Sequence, residues 1–453
     1  MQRKKILIVI TVLLSVLVLA ASTPALLRTV PSRYLASASA KLPTSLQQPF
    51  NQITMPQQEA AILPTVAVVA DVGLLLATGV PPTETSLPPT FTPAPRVEVT
   101  STPPPTITPM PPTPTTAPLP TSTPIPFPAA FRLEGIRHQF QEWNNCGPAT
   151  LAMTLSYFGL RLNQNDTATI LKPNPEDRNV SPHEMADYVN NHTDYQALFR
   201  VNGDEETLKR LLSNGIPVIL EIGIEPPGEF QWMGWYGHYM LLVAYDDAAQ
   251  TYWVYDSWLG TGGEPLSSAD LNGRILTYEA LQRDWPHFNR NYIALYTPEQ
   301  APLVADILGA NMDDATMWQQ SLDQAVQDVQ NDGENPFYWF NLGTSYNAIG
   351  NYELAAQAYD QARAIGLPWR MLWYQFGPYE AYYQVGRFED VLLLADVTLD
   401  QRPYFEESFY YRGLAQAALS NQSAARADLE KATAFNPNFL PAIQALSQLE
   451  SGG

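Results

Sequence analysis

The stretch Gln141-Glu142-Trp143-Asn144-Asn145-Cys146-Gly147-Pro148-Ala149-Thr150 decides how this chain is read. Apolar residues follow at helical spacing (Leu151, Met153, Leu155, Phe158) and stop at Gly159. The pattern predicts a helix that begins at Cys146. Pro148 suits its first turn, where a missing N–H breaks no bond. A sulfur at a helix start lies among unpaired N–H groups and at the positive end of the dipole, which favours the thiolate. A thiolate is the nucleophile that acyl transfer needs. An inert core cysteine would lie on the apolar face, whereas Cys146 stands between Asn-Asn and Gly-Pro. It is the sole cysteine of the chain, which excludes an intrachain disulfide framework and a multi-cysteine zinc site. No metal or organic cofactor is implied.

A thiolate nucleophile needs a base, and the chain has five histidines. His238 opens an apolar strand running to Tyr245. Asp246–Gln250 forms a turn, and a second strand runs from Thr251 to Asp256. Pairing Tyr245 with Thr251 sets Met240 opposite Asp256, with His238 on the same face and diagonal to it. A slip of one residue would separate them. Asp256 is thus offered as the carboxylate that orients an imidazole base; the alternative is an ordinary turn aspartate. His183 reads as a solvated first-turn residue of a helix capped by Ser181 and Glu184, and His192 as its last residue. His138 reads as structural, and His287 lies in a loop. Trp235 and Tyr236, just before Gly237-His238, are expected to wall a substrate groove, and Trp253 and Trp258 to be core. Gly260–Gly263 reads as a loop.

The Asn-Asn-Cys-Gly-Pro-Ala motif, the Gly-His-Tyr at a strand start and the Tyr-Asp at the end of the next strand resemble the papain-like cysteine peptidases of the bacteriocin-leader-processing (peptidase C39-like) type. The resemblance covers about residues 131–298. It implies an α+β papain-like fold, with Cys146 as nucleophile, His238 as general base and acid, and Asp256 as orienter. It further implies a glutamine upstream of the cysteine as oxyanion donor. Gln141 stands five residues before Cys146, where the family's best-studied members have six; position 140 is Phe here, and Gln139 is the reserve. The implied substrate is a peptide or protein. Neighbouring readings are a Cys/His acyl-transfer enzyme acting on cell-wall amides and an inactive binding scaffold.

Upstream, Arg3, Lys4 and Lys5 precede an apolar run from Ile6 to Ala21 that weakens towards Leu27. Residues 1–27 are expected to be a signal peptide cleaved near Ala20-Ala21-Ser22 or an uncleaved single-pass anchor. Either places the rest of the chain outside the cytoplasm, at the cell membrane or secreted. Residues 28–80 are expected to be poorly ordered, because Pro64 and Asp71 interrupt their apolar part. Residues 81–130 contain 18 of the 41 prolines and 13 threonines. Such a stretch reads as a disordered, extended stalk reaching roughly 150 Å.

Downstream, Pro336, Pro368, Pro403 and Pro437 recur at intervals of 32, 35 and 34 residues. Ala355, Tyr359 and Ala362 align with Ala425, Leu429 and Ala432. Residues 301–453 therefore resemble an all-α solenoid of three tetratricopeptide repeats, preceded by a helix at about 314–330. Gly377-Pro378 is expected to interrupt the first helix of the middle repeat. The repeats imply a docked protein partner. Residues 131–453 carry 18 Lys/Arg against 41 Asp/Glu, which argues against nucleic acid as a partner. The whole reads as a multidomain surface peptidase: peptidase domain 131–300, repeat domain 301–453.

Overall fold

The computed structural model describes residues 62–66, 72–76, 127–142, 144–225, 234–262 and 271–451. Residues 1–27 and most of the Pro/Thr-rich stretch lie outside these. Among the described residues no helix is long and apolar enough to cross a membrane.

The first half is an α+β unit. Its antiparallel sheet has the strand order β2 (Gln196–Arg200), β7 (Tyr292–Tyr296), β3 (Val218–Ile224), β4 (Tyr236–Asp246), β5 (Thr251–Asp256), β6 (Arg274–Thr277). β1 (Ala130–Arg132) joins the far end of β4. Strands β3 and β4 are buried along nearly their whole length, so they read as continuous apolar runs rather than alternating ones. Helix α1 (Cys146–Tyr157) packs on them; it is buried from Gly147 to Ser156 and carries no polar face. Helices α2 (Gln164–Leu171) and α3 (Pro182–His192) flank it, and α4 (Glu205–Ser213) lies behind β3 and β4. The Glu184 carboxylate accepts from the Ser181 N–H at 2.7 Å, as the capping signal predicts. After α5 (Tyr278–Asp284), the chain returns to the sheet centre through β7.

The hairpin register differs from expectation in a way that cancels itself. Tyr245 pairs with Tyr252, not Thr251, but a bulge between Leu242 and Ala244 takes up the extra residue. Met240 therefore still faces Asp256. The bulged Val243 carbonyl is used, accepting from Leu133 N at 2.8 Å.

The second half is helical. Helix α6 (Ala301–Leu308) buries Val304 and Leu308 in the core of the sheet unit, so the boundary expected at residue 300 falls inside that unit's packing. Then α7 (Asp314–Asn331), α8 (Pro336–Ala348) and α9 (Tyr352–Ile365) pack in succession, followed by α10 (Gly377–Gln384), α11 (Phe388–Gln401), α12 (Glu406–Ala418), α13 (Gln422–Phe435) and α14 (Leu440–Ser451). Ala355 and Ala362 are fully buried between helices. A Cβ on Gly343 would come within 2.7 Å of the Tyr359 ring, so only glycine allows α8 and α9 to approach so closely. Gly377-Pro378 opens a helix rather than interrupting one; the preceding turn, Trp369–Trp373, is a separate 3₁₀ segment.

The halves are joined by a packed junction. Arg290 makes a two-pronged ion pair with Asp328 (2.6 and 3.1 Å), and Asn341 donates to Pro286 O at 2.7 Å. Trp235 is buried there, stacked on Phe288 and Phe337 at 5.6 and 5.7 Å between ring centres. The expectation that Trp235 walls a groove is thus corrected: it is junction core.

Residues 62–66 and 72–76, expected in a poorly ordered segment, are packed on the helical half. Leu63 N donates to Leu367 O at 2.9 Å, Arg363 Nε to Pro64 O at 2.9 Å, and the Tyr346 hydroxyl to Leu75 O at 2.7 Å. Leu63 and Leu75 join the helical core. Burial of each contributes about 1.5–3 kcal/mol, which explains why this stretch is apolar without spanning a bilayer.

Candidate active site

Asn144 adopts the left-handed region (φ 56°), which asparagine tolerates far better than a branched residue. The turn it makes lets α1 begin at Cys146 itself. Trp143 lies outside the described residues. The first-turn N–H groups of α1, that of Cys146 included, have no partner within the helix. The sulfur is half-buried.

β4 carries the candidate base across to this helix start. Tyr236, His238 and Met240 share one face of the strand, and Met240 stands opposite Asp256. His238 Nε2 lies 2.8 Å from Asp256 Oδ1. This leaves Nδ1 as the ring nitrogen free to face Cys146, whose side chain is near enough to act on the imidazole. Burial by itself would disfavour the imidazolium. The Asp256 carboxylate, through its charge and its hydrogen bond, and then Cys146, outweigh burial and push His238 up to about 10.

Asp256 is wholly buried. Its Oδ1 also accepts from the N–H groups of Trp258 (2.7 Å) and Leu259 (2.9 Å), and Arg274 Nε lies 3.6 Å from Oδ2. Burial would raise its pKa, but His238 above all, with Arg274 and the Leu259 N–H, holds it down at about 2. Trp258 stands edge-on to His238 at 6.4 Å. His138 Nε2 lies 2.9 Å from the Asp256 carbonyl, a supporting contact consistent with its structural reading.

Gln141 lies beside this group. Its N–H donates to Ser257 O at 2.7 Å, and its Oε1 accepts from the Ser257 hydroxyl at 2.9 Å. With the oxygen engaged, the amide NH₂ is the end left for another acceptor. The reserve, Gln139, instead spends its Oε1 on Gln164 N at the start of α2 (2.9 Å). His287 is elsewhere, hydrogen-bonded to Trp235 Nε1 at 3.2 Å and stacked on Phe337 at 3.8 Å, and burial draws its pKa down to about 4.

Two buried groups that feel the Cys146 charge carried no sequence signal. Lys172, just past α2, is buried, with Nζ donating to Pro175 O at 3.1 Å and Asp177 O at 3.3 Å. Burial lowers its pKa to about 8, against the pull of Asp177 and Cys146. Tyr374, from the helical half, is buried within reach of the Cys146 charge. A Cβ on Gly237 would meet the Phe288 ring at 2.5 Å and the Tyr374 ring at 3.1 Å; glycine between Tyr236 and His238 is what admits the Phe288 ring. Among the described residues no cluster could hold a metal ion.

A half-buried thiol at a helix start, an imidazole near enough to interact with it and a buried carboxylate hydrogen-bonded to that imidazole form the arrangement expected of a thiol-dependent acyl-transfer site. Residues 133–286 match the model of the "Peptidase_C39 like family". A solved structure of a candidate C39-like peptidase from Bacillus anthracis is similar over 37% of this chain and 98% of that one, at 16% identity and a TM-score of 0.29, a score that decides nothing further. No curated protein matches the chain.

Proposed function

We propose that the chain is a cysteine peptidase that hydrolyses peptide bonds through a thioester at Cys146. The observation that carries the reading is the position of His238 between the Cys146 side chain and Asp256 Oδ1. The Cys146 thiolate attacks the scissile carbonyl. The resulting oxyanion is held by the Cys146 N–H and the Gln141 amide. Nδ1 of the His238 imidazolium gives its proton to the leaving amine, and the C–N bond breaks. A water molecule then gives a proton to His238 and attacks the thioester, releasing the acid and restoring the thiolate. Asp256 keeps the ring turned throughout and favours its charged form before the proton is given up and after it is regained. Residues 1–27 would hold the protein at the outer face of a membrane, and the helices after Asp314, read as tetratricopeptide repeats, would dock a protein partner or substrate.

The test is labelling of the full-length chain with a thiol-directed epoxide, wild type against His238→Ala. Labelling slowed about 10²-fold or more in the variant supports the reading; equal labelling overturns it. A peptide library set against muropeptides then identifies which amide is cut, and cleavage of muropeptides alone would replace the peptidase with a cell-wall amide hydrolase.

A further inference from the structure

The proposed nucleophile and base are each followed by a residue that meets the other's follower. Gly147 comes after Cys146 on α1, and Tyr239 after His238 on β4. A Cβ built on Gly147 would lie 3.3 Å from Val180 Cβ, 3.4 Å from Met185 Sδ and 3.5 Å from Tyr239 Cδ2. The first turn of α1 is thus held between the Tyr239 ring and the chain entering α3. The Tyr239 hydroxyl ties these two walls together, donating to Val180 O at 2.7 Å. Its main chain is engaged as well: Tyr239 O accepts from Thr150 Oγ1, one turn further along α1, at 3.4 Å. Tyr239 is therefore the residue through which the strand of the base grips the helix of the nucleophile.

Glu221 backs this grip. It interrupts the apolar run of β3 directly opposite Tyr239, so the two side chains share a face of the sheet. Both are buried, and each feels the other. A carboxyl in the middle of a core strand is costly unless it is partnered. Here Asn291 Nδ2 donates to Glu221 Oε2 at 2.6 Å. Burial pushes Glu221 up to about 8, against the pull of Asn291 and Tyr239. Near neutral pH the carboxyl therefore keeps its proton and can serve as donor and acceptor together. Burial, with Glu221 and Cys146 adding to it, also holds the Tyr239 phenol well above its usual range, so the hydroxyl keeps the proton it gives to Val180 O. The mechanism above uses neither group.

Building on the peptidase reading, we propose that Tyr239, backed by Glu221, is a positioning residue of the active site: it fixes the first turn of α1 against β4 and so sets the reach between the Cys146 sulfur and the His238 ring. It acts through those two residues and on no atom of the substrate. Phenylalanine would fill the same space but take this donor from the Val180 carbonyl. The turn could then shift by the small distance that an attack geometry does not tolerate.

The test uses the full-length chain and a thiol-directed epoxide over a range of concentrations, which separates the limiting labelling rate from the half-saturating concentration. Cys146 is the sole cysteine, so the label reports on it alone. With Tyr239→Phe the limiting rate should fall about 10–100-fold while half-saturation stays within about twofold. A residue that only supported folding would leave the limiting rate per folded molecule unchanged, and thermal melting gives the folded fraction. Glu221→Leu should slow labelling in the same way, and Glu221→Gln, which keeps shape, donor and acceptor, should restore most of the rate. An unchanged limiting rate in Tyr239→Phe, a change in half-saturation alone, or a loss that vanishes on correction for the folded fraction overturns the proposal. If Tyr239→Phe does not fold, the Glu221 pair decides: equal rates overturn the proposal, and a slow Leu variant beside a fast Gln variant supports it. His238→Ala, run in parallel, reports on the hydrolase reading alone. Slowing there without slowing in Tyr239→Phe rejects the positioning role and leaves the peptidase standing; no slowing in His238→Ala rejects the peptidase and this role with it.

Discussion

At the scale of single residues, the site is an electrostatic arrangement around one imidazole. His238 is charged because Asp256 is charged, and the reverse holds equally. His238, raised from 6.5 to about 10, contributes stability that is complete below its unfolded pKa and lost as pH rises through the folded value. Asp256, lowered from 3.8 to about 2, contributes stability present above its unfolded pKa and lost as pH falls through the folded one. Asp256→Asn keeps the shape and removes the charge. The alkaline limb of kcat/KM should then move from near 10 towards the ordinary imidazole value, and kcat should fall about 10²–10⁴-fold. A pH–rate profile whose alkaline limb does not move would detach Asp256 from the base. Cys146, His238 and Asp256 were legible in the sequence because each depends on short-range pattern: a helix start marked by Gly-Pro, and a hairpin whose alternation fixes faces. Gln141 was legible only through resemblance, since nothing in its neighbourhood foretells the Ser257 contact that orients it.

At the scale of elements, the β4–β5 hairpin shows how a correct pairing can rest on a wrong premise. Counting from the turn with uninterrupted pleating puts Tyr245 against Thr251. The real turn is offset by one, and the bulge at Val243 restores the offset before the chain reaches Met240. The bulge leaves no mark in composition; the Val243 carbonyl accepts from the Leu133 N–H, a partner more than a hundred residues away in the chain. Deleting Val243 should turn one end of β4 over, taking His238 off the Asp256 face or exposing the apolar residues beyond it. We expect a stability loss of about 2–4 kcal/mol in denaturant unfolding and kcat/KM reduced by more than about 100-fold. Substitution of Val243 by Ala, which removes side chain but keeps the extra residue, should cost only about 1–3 kcal/mol and leave the pH profile of the survivor unchanged. A deletion variant with wild-type kcat/KM would show that the register does not set the site.

At the scale of the whole molecule, what the sequence concealed lies in contacts between distant parts. Tyr374 comes within reach of the Cys146 charge, and Arg370 lies over the Tyr236 ring, only because the helical half is clamped to the sheet through Trp235, Arg290 and Asn341, and no local pattern announces that clamp. The same is true of Leu63 and Leu75, whose apolar surroundings read equally well as membrane-adjacent chain until the helices that receive them are known. One prediction follows from those two leucines. A specific protease site placed within residues 81–126 and cut should leave the N-terminal piece bound to the remainder through size-exclusion chromatography, and Leu63→Asp with Leu75→Asp should release it. Release from the wild-type sequence would mean that the leucines are not held in solution.

The anchored leucines change what the proline-rich stretch can do. Residue 76 and residue 127 both rest on the same body, so the chain between them leaves from and returns to one object and adds nothing to that object's distance from elsewhere. With residues 1–27 in a bilayer, the leash shrinks to residues 28–61. Its contour limit is roughly 120 Å, against roughly 360 Å had the chain been free up to residue 126. The enzyme would patrol a shallow zone above its own membrane, and a nick in the most protease-accessible-looking part of its sequence would shed nothing into the medium.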